Sequence, residues 1–417
     1  MEGQTPIERI RALGAEYEQQ IVAWRRYFHA HPELSGEERA TSDFLCARLD
    51  EMGVEYRRVQ GKRPEPASDG RTEFFGTGII VTIRGEAPGA YDADGNPARR
   101  IALRTDIDAL PIRERTDFEF ISQNEGVMHA CGHDCHMAMM LGTIKMLLEL
   151  RDQLRGEVRV LFQPAEEISS GALDMIAAGA LDGVDAIYGA HIWSEVDTGF
   201  FSCEAGPRMG NTDWFRIDID GVSAHGSMPH KGVDAIVIAA EIVDSLQLLV
   251  SRRTSPFEPA VVTVGEIHGG TARNIMAGSA YLTGTVRTWH QDVRDRMADR
   301  MERIAGKIAH ALDAHIEFSF VPGNSAVVND AACAEVARAA VADVLGEDAV
   351  GTYEGTLAGE DFAEYQKIVP GVFVFVGTNN PAIGAEHPQH SCYYTIDEDV
   401  LVRGSMVAAR WACSMLS

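Results

Sequence analysis

The stretch VMHACGHDCHMAMM, residues 127–140, places three histidines and two cysteines in the eight positions from His129 to His136. Imidazole and thiolate are common zinc ligands, so a metal site, a reactive thiol and a crowded helix start are all open to it. Cys131 and His133 lie two apart, which on a helix would point them about 200° away from each other. A turn hinged at Gly132 would let both face one ion. Cys131 and Cys135 have three residues between them and so do not form the C-x-x-C of a redox pair. Farther on, LFQPAEEISSG sets Glu166 and Glu167 side by side just past an apolar run. Two adjacent carboxylates are costly unless an ion or a proton neutralises one of them, and the natural division is one ligand and one general base. A solvated loop is the plainer account of the same pair. His191 interrupts the apolar segment YGAHIW, and AEHPQHSCYY carries His387 and His390. Each of these histidines taken alone also suits a core or loop position. Together they bring Cys, Glu and several His to strand ends, enough for two divalent ions.

These side chains need a scaffold, and the apolar pattern outlines one. Helical periodicity runs over residues 6–53 and stops at Gly53, with a strand at 54–59. Strands are expected at 79–83, 101–108, 158–163 and 186–192, with helices at 136–151 and 171–179 between them. Such alternation predicts an α/β sheet with its chemistry at strand C-terminal ends. After residue 206 the order changes to strand 213–221, helix 232–253, strands 260–270 and 279–288, helix 291–312 and strand 315–321. That is the β-α-β-β-α-β order of a ferredoxin-like unit. A helix at 330–346, a strand at 371–377 and a helix at 398–414 resume the first pattern. The expectation is a discontinuous large domain, 1–206 and 323–417, interrupted by an inserted domain at 207–322.

Composition narrows the function. A length of 417 residues exceeds the usual single core of ~250–300, which agrees with two domains. The apolar fraction is 45% and the formal charge is -25, from 37 basic and 62 acidic residues. That charge repels nucleic acid and anionic membranes, and no Lys/Arg run longer than two interrupts it. The polar start lacks a signal-peptide core, and no run of ~18 apolar residues suggests a membrane span. Seven scattered cysteines make a poor disulfide framework and suit a reducing, cytoplasmic setting.

Ten segments occur in an order that resembles one family: RRYFHAHPELSGEE (25–38), RTDIDALPI (104–112), MHACGHDCHMAMMLG (128–142), QPAEE (163–167), GAHIW (189–193), GVSAHGSMPH (221–230), GGTARNIM (269–276), GTVR (284–287), AGEDFAEY (358–365) and QHSCYYTIDED (389–399). The chain resembles the M20 metallopeptidase superfamily, in the amidohydrolase branch of hippurate hydrolases, N-acyl-amino-acid amidohydrolases and auxin-conjugate hydrolases. The resemblance implies a large di-metal α/β catalytic domain with a zinc-exopeptidase-like mixed sheet, and an inserted ferredoxin-like α+β domain serving as lid and dimerisation module. It implies Cys131, His133, Glu167, His191 and His390 as ligands of two divalent ions per subunit, zinc or manganese foremost, with cobalt or nickel as alternatives. Cys392 stands where the family usually has proline, which leaves His387 as a rival to His390. Glu166 becomes the general base acting on a water that bridges the ions, and Asp108 the aspartate that orients the site. His225 is implied to reach the site of a partner subunit in a homodimer or higher homo-oligomer and to help stabilise the tetrahedral intermediate. Asn274 and Arg287 suit the scissile carbonyl and the substrate carboxylate. The expected reaction is hydrolysis of an N-acyl amino acid to a carboxylic acid and an amino acid, with a dipeptidase or aminoacylase of the same superfamily as the alternative. A cysteine-nucleophile amidase using Cys131 or Cys135, and a metal-storing protein without activity, are rivals from other classes. Loops at 60–77 and 87–99 extend the usual pattern and lie away from the motifs in sequence.

Overall fold

The run IALRTD begins with three consecutive apolar residues, which suits a strand covered on both sides. In the computed structural model, which describes residues 5–67 and 70–417, strand Arg100–Asp106 is buried from its second residue to its last. It lies parallel to Glu157–Gln163 on one side and to Ala186–Asp197 on the other, and the latter pairs in parallel with Gly371–Asn379. These four parallel strands form the centre of an eight-stranded sheet. Its order is Glu55–Arg58, Ile79–Arg84, Glu157–Gln163, Arg100–Asp106, Ala186–Asp197, Gly371–Asn379, Phe201–Ser202 and Val350–Gly351. The first two strands run antiparallel to their neighbours, so the sheet is mixed, as expected.

Helices Pro6–Ala30, His133–Glu149, Ala331–Leu345 and Asp399–Met415 pack on one another and on the central strands. The periodicity expected to continue over residues 6–53 is two helices, Pro6–Ala30 and Arg39–Met52. Pro32 explains the break, because it has no N–H to donate and disfavours helical geometry in the residue before it. The carboxylate of Glu33 accepts the N–H groups of Ala40 and Thr41 at 3.1 and 2.7 Å and so starts the second helix. Gly53 ends it in the left-handed region, φ 64°. The helix expected at 136–151 begins three residues earlier, at His133.

The chain divides into two compact units: Met1–Gly206 with Val328–Glu354 and Glu364–Ser417, and Pro207–Val327 with Gly355–Ala363. In the second, strands Asn211–Asp220, Ala260–Gly269, Ser279–Thr288 and His315–Pro322 alternate with helices Ala235–Arg253 and Gln291–Ala311. All neighbouring strands of its sheet are antiparallel, in the order Ala260–Gly269, Ser279–Thr288, Asn211–Asp220, His315–Pro322. This is the ferredoxin-like α+β arrangement the sequence predicts. Residues 355–363 belong with it because Gly210 N–H donates to Ala358 O and Thr356 N–H to Arg208 O, both at 2.9 Å. Among the described residues, no helix is long and apolar enough to cross a membrane.

One buried ion network ties the first helix of the large unit to the helix that starts at His133. Arg25 Nε donates to Asp134 Oδ2 at 2.9 Å, and Arg25 Nη1 lies 3.2 Å from Glu398. His29 bridges Asp134 at 2.8 Å and Glu114 at 2.9 Å. Burial opposes charge on Asp134, but Arg25 and His29 outweigh it and hold the carboxyl well below its usual range. Replacing Arg25 with methionine keeps much of the volume and leaves the buried Asp134 charge with His29 but without its arginine. A loss of about 3–5 kcal/mol is expected, read as a lower urea midpoint. A midpoint within error of the parent protein would remove this network from the stability account.

Candidate metal centre

The hinge at Gly132 has the geometry that the spacing of Cys131 and His133 requires. Gly132 is the N-cap of helix His133–Glu149 with φ 92°, a conformation that favours glycine. A Cβ there would also come within 2.3 Å of Ile192 Cδ1. Cys131 therefore precedes the helix while His133 opens it, and both join a cluster with His191. Two further groups share these residues: Cys131, Glu167 and His390, and His133, Glu166 and Glu167, each with donor atoms within 4.8 Å of one another.

Hydrogen bonds on the far side of each ring set which nitrogen carries the lone pair. His133 Nδ1 donates to the carbonyl oxygen of Asp108 at 2.9 Å, and His191 Nδ1 to that of Ile192 at 2.6 Å. A carbonyl can only accept, so Nδ1 is protonated in both and Nε2 is the free donor. His191 Nε2 stands 3.4 Å from Cys131 Sγ. His133 Nε2 and Glu167 Oε1 are buried without a hydrogen-bond partner. His136 differs. Its Nδ1 faces Asp106 Oδ1 at 2.6 Å and its Nε2 accepts the Ile192 N–H at 3.0 Å, which occupies both nitrogens. His136 thus has no lone pair left for an ion, although it lies near His133 and Asp106. His129 joins none of these groups, and burial pushes it down to about 4, so it is a neutral core imidazole. His390 has φ 65° and is anchored by its N–H to Ala130 O at 2.8 Å, which brings its Nε2 to 3.6 Å from Glu167 Oε2. His387 instead rests on the Tyr393 ring, 5.5 Å between centroids.

The electrostatics of this pocket favour a cation. Burial opposes charge on His133, but Asp106, Asp108 and Glu167 override it and push the imidazole up to about 10. Burial, followed by Glu167, Glu166 and Asp106, drives the Cys131 thiol well above its usual value. Burial likewise raises Glu167 to about 7. One thiol, three imidazoles and a carboxylate, with two donor atoms buried unpaired, fit divalent ions that replace these protons.

The carboxylate turn itself is strained and tightly held. Ala165 and Ser169 adopt φ 54° and 53°, which for residues with a Cβ costs roughly 1–2 kcal/mol each. The Glu167 N–H donates to Asp108 Oδ2 at 3.0 Å, and Ser35 Oγ donates to the same oxygen at 2.6 Å. Asp108 therefore touches both His133 and Glu167.

Residues 102–414 match the Peptidase_M20 family, described as peptidase family M20/M25/M40. The chain belongs to this family. It is 42% identical over 323 residues to an N-acyl-L-amino acid amidohydrolase of Geobacillus stearothermophilus, covering 77% of this chain and 81% of that protein. It is 36% identical over 406 residues to thermostable carboxypeptidase 1 of Saccharolobus solfataricus, covering 97% of each. A solved M20 structure from Bacillus subtilis, a dinuclear metal-binding peptidase, superposes with a TM-score of 0.81 at 34% identity, covering 96% of this chain and 99% of that one. As an M20 member the protein is an amide-bond hydrolase, and the fold is the mixed α/β unit with a second α+β unit that the motifs imply.

Sequence reasoning placed the loop at 60–77 away from every motif, and the structure corrects this. Arg63 Nε and Arg71 Nη1 reach Asp174 at 2.6 and 2.9 Å, and both arginines also bind Ser170, three residues beyond Glu167. A buried Asp174 requires cationic partners, and the long loop supplies them to the segment that carries the carboxylates. The loop at 87–99 does lie apart. It feeds the start of strand Arg100–Asp106, whose seven residues put it about 20 Å from the site end.

Of the residues expected in the second unit, His225 and Asn274 are brought together. His225 pairs in register with Ile275, and Gly226 N–H donates to Asn274 O at 2.9 Å. His225 Nδ1 accepts from Ser227 N–H at 3.2 Å, so Nε2 is the exposed nitrogen. Arg287 is not with them. It lies eight residues along strand Ser279–Thr288, beside Thr212, roughly 26 Å from the end next to Asp220. Burial depresses its guanidinium. Sequence reasoning missed Asp106, which holds Arg104 at 2.8 Å as well as His136. Its only signal is an acidic residue at the end of an apolar strand.

Gly132→Ala should cost about 2–4 kcal/mol by adding left-handed strain to a clash. It should also lower bound metal per chain, measured by mass spectrometry of the folded fraction. Full metal content in the variant would show that the hinge is dispensable.

Proposed function

We propose that the protein hydrolyses the amide bond of N-acyl amino acids in a site that holds two divalent ions. The observation that carries this reading is the convergence of Cys131, His133, Glu167, His191 and His390 beside a second buried carboxylate, Glu166. When bound there, the ions would polarise the scissile carbonyl and make water acidic enough to attack at neutral pH. The thiolate favours zinc, while the imidazoles and carboxylate also suit manganese, cobalt or nickel.

The protein's own groups do the rest. Glu166 takes a proton from the attacking water and hands it to the leaving nitrogen. Asp108 keeps His133 in its Nδ1–H form and orients Glu167. His225, through its exposed Nε2, donates to the developing oxyanion, and Asn274 beside it binds the carbonyl region. Arg287 pairs with the substrate carboxylate. His225 and Asn274 lie at the short pairing of Ala224–His225 with Ile275–Met276, whereas Arg287 lies near the far end of strand Ser279–Thr288, which supports a homodimer in which the inserted unit, 207–322, lends His225 to the other subunit's site. Its edge strand Ala260–Gly269 is unpaired on one side, with Ile267 52% exposed, a surface that invites a second chain. Free cysteines throughout support a reducing, cytoplasmic setting.

A dipeptidase or carboxypeptidase reading keeps the same centre and is favoured by the carboxypeptidase relative. A thiol nucleophile is disfavoured. Cys135 is fully buried, and both Cys131 and Cys135 are pushed up, mainly by burial, whereas nucleophilic thiols are pushed down.

The deciding experiment reloads metal-free enzyme with each ion and assays N-acetyl, N-benzoyl, long-chain acyl and indole-acetyl amino acids, with a dipeptide as control. Turnover of acyl amino acids that chelation abolishes is expected; turnover that survives chelation would restore the thiol amidase. Glu166→Ala should keep its metal and lose about 10²–10⁴-fold in kcat, and a variant with near-normal kcat sinks the base assignment. Metal affinity should fall as pH drops below 7, because the protons on Glu167, Cys131 and His133 compete with the ion and loading releases them. Titration calorimetry at several pH values checks the sign. A monomeric variant should lose activity, and full activity in a monomer would refute the shared histidine.

A further inference from the structure

Glu38 occupies the N-cap position of helix Arg39–Met52, yet its side chain makes no capping hydrogen bond. Glu33 caps that helix instead. The Glu38 carboxylate is fully buried and directed elsewhere. Its Oε1 accepts the N–H groups of Gly36 at 2.7 Å and Ala165 at 2.9 Å, and its Oε2 accepts the Thr77 hydroxyl at 2.8 Å.

Ala165 is the residue at φ 54° just before Glu166. A residue with a Cβ persists in that region only where its surroundings hold it. On its carbonyl side the hold is local, from the N–H groups of Ser170 at 3.2 Å and Gly171 at 3.1 Å. Gly171 packs so closely that a Cβ would meet Pro164 O at 1.5 Å. On its N–H side the hold is Glu38, from a segment 127 residues earlier. The same segment carries Ser35, which fixes the Asp108 oxygen that receives Glu167 N–H. The two consecutive glutamates are thus aimed from opposite sides by one short turn of the chain.

We propose that Glu38 is a positioning residue for the reaction: by accepting the Ala165 N–H it holds the left-handed turn that directs both Glu166 and Glu167 at the cluster of Cys131 and His133. This rests on the reading of Glu166 as base and Glu167 as ligand, and names what aims them. The hydrogen bond, rather than the charge, carries the effect.

The test compares three variants of the full-length protein. Glu38→Leu removes the acceptor, Glu38→Asp withdraws it by one methylene, and Glu38→Gln leaves a carbonyl oxygen for Ala165 and an amide for Thr77. Hydrogen exchange over residues 163–171 is followed in metal-free protein, and kcat and KM in metal-loaded protein, each corrected for the folded fraction. Leu and Asp should lose protection at Ala165 and lose roughly 10- to 100-fold in kcat with KM little changed, and Gln should recover most of both. The Asp variant serves if Leu does not fold. Unchanged exchange and kcat in the folded variants would overturn the proposal, as would a Gln variant as impaired as Leu. Lost protection with unchanged kcat would also overturn it, whereas the reading of Glu166 as base stands or falls separately on Glu166→Ala.

Discussion

The geometry of the centre depends on one side chain buried past the end of a parallel strand. Asp108 gives its carbonyl oxygen to His133 Nδ1 and its carboxylate to the Glu167 N–H and the Ser35 hydroxyl. Through these bonds it selects the tautomer of one candidate ligand, sets the backbone direction of another, and fastens the turn after the first helix. Such a group must stay charged to accept so many donors. Burial opposes that charge, but His133, Ser35 and the Glu167 amide hold its carboxyl below the usual range.

Around Asp108 the fold gathers negative charge that a dry interior does not tolerate alone. Asp106 offsets its burial with His133, His136 and Arg104. Glu167, whose attraction to His133 is outweighed by burial, and Cys131 shift towards their neutral forms. That contrast separates residues whose charge the protein satisfies itself from residues whose donor atoms are left for an ion. It also explains why His136, close to the cluster, is a support for Asp106 rather than a ligand candidate.

The second unit follows a different logic. Arg287 lies eight residues along strand Ser279–Thr288 from the end beside Asp220, whereas His225 and Asn274 meet at a separate two-stranded pairing. In the large unit, the loop at 60–77 shows a related economy. A feature that looks like an insertion in sequence supplies the two arginines that neutralise Asp174 behind the carboxylate turn.

Much of this was legible in the chain itself. Periodicity found the parallel strands and the β-α-β-β-α-β order, because strands buried on both faces and amphipathic helices leave distinct apolar patterns. The spacing Cys131-Gly132-His133 determined a hinge, because only glycine enters φ 92° beside Ile192 without strain and collision. Periodicity ran through the break at residues 31–38, since both flanking helices carry the same kind of apolar stripe and the turn announces itself only by Pro32 and Gly36. What the sequence could not settle was the assignment of function among equivalent residues. His136 and His133 are alike in type and three apart; the Ile192 N–H and Asp106 exclude the first. His387 and His390 are alike too, but a backbone bond to Ala130 sets His390 Nε2 beside Glu167 while His387 rests on Tyr393. Glu38 is one glutamate among many in the sequence, and only the fold brings Ala165 to it. Residue type and spacing are local properties, whereas the partner of a lone pair or a carboxylate comes from distant segments, and only the tertiary structure names it.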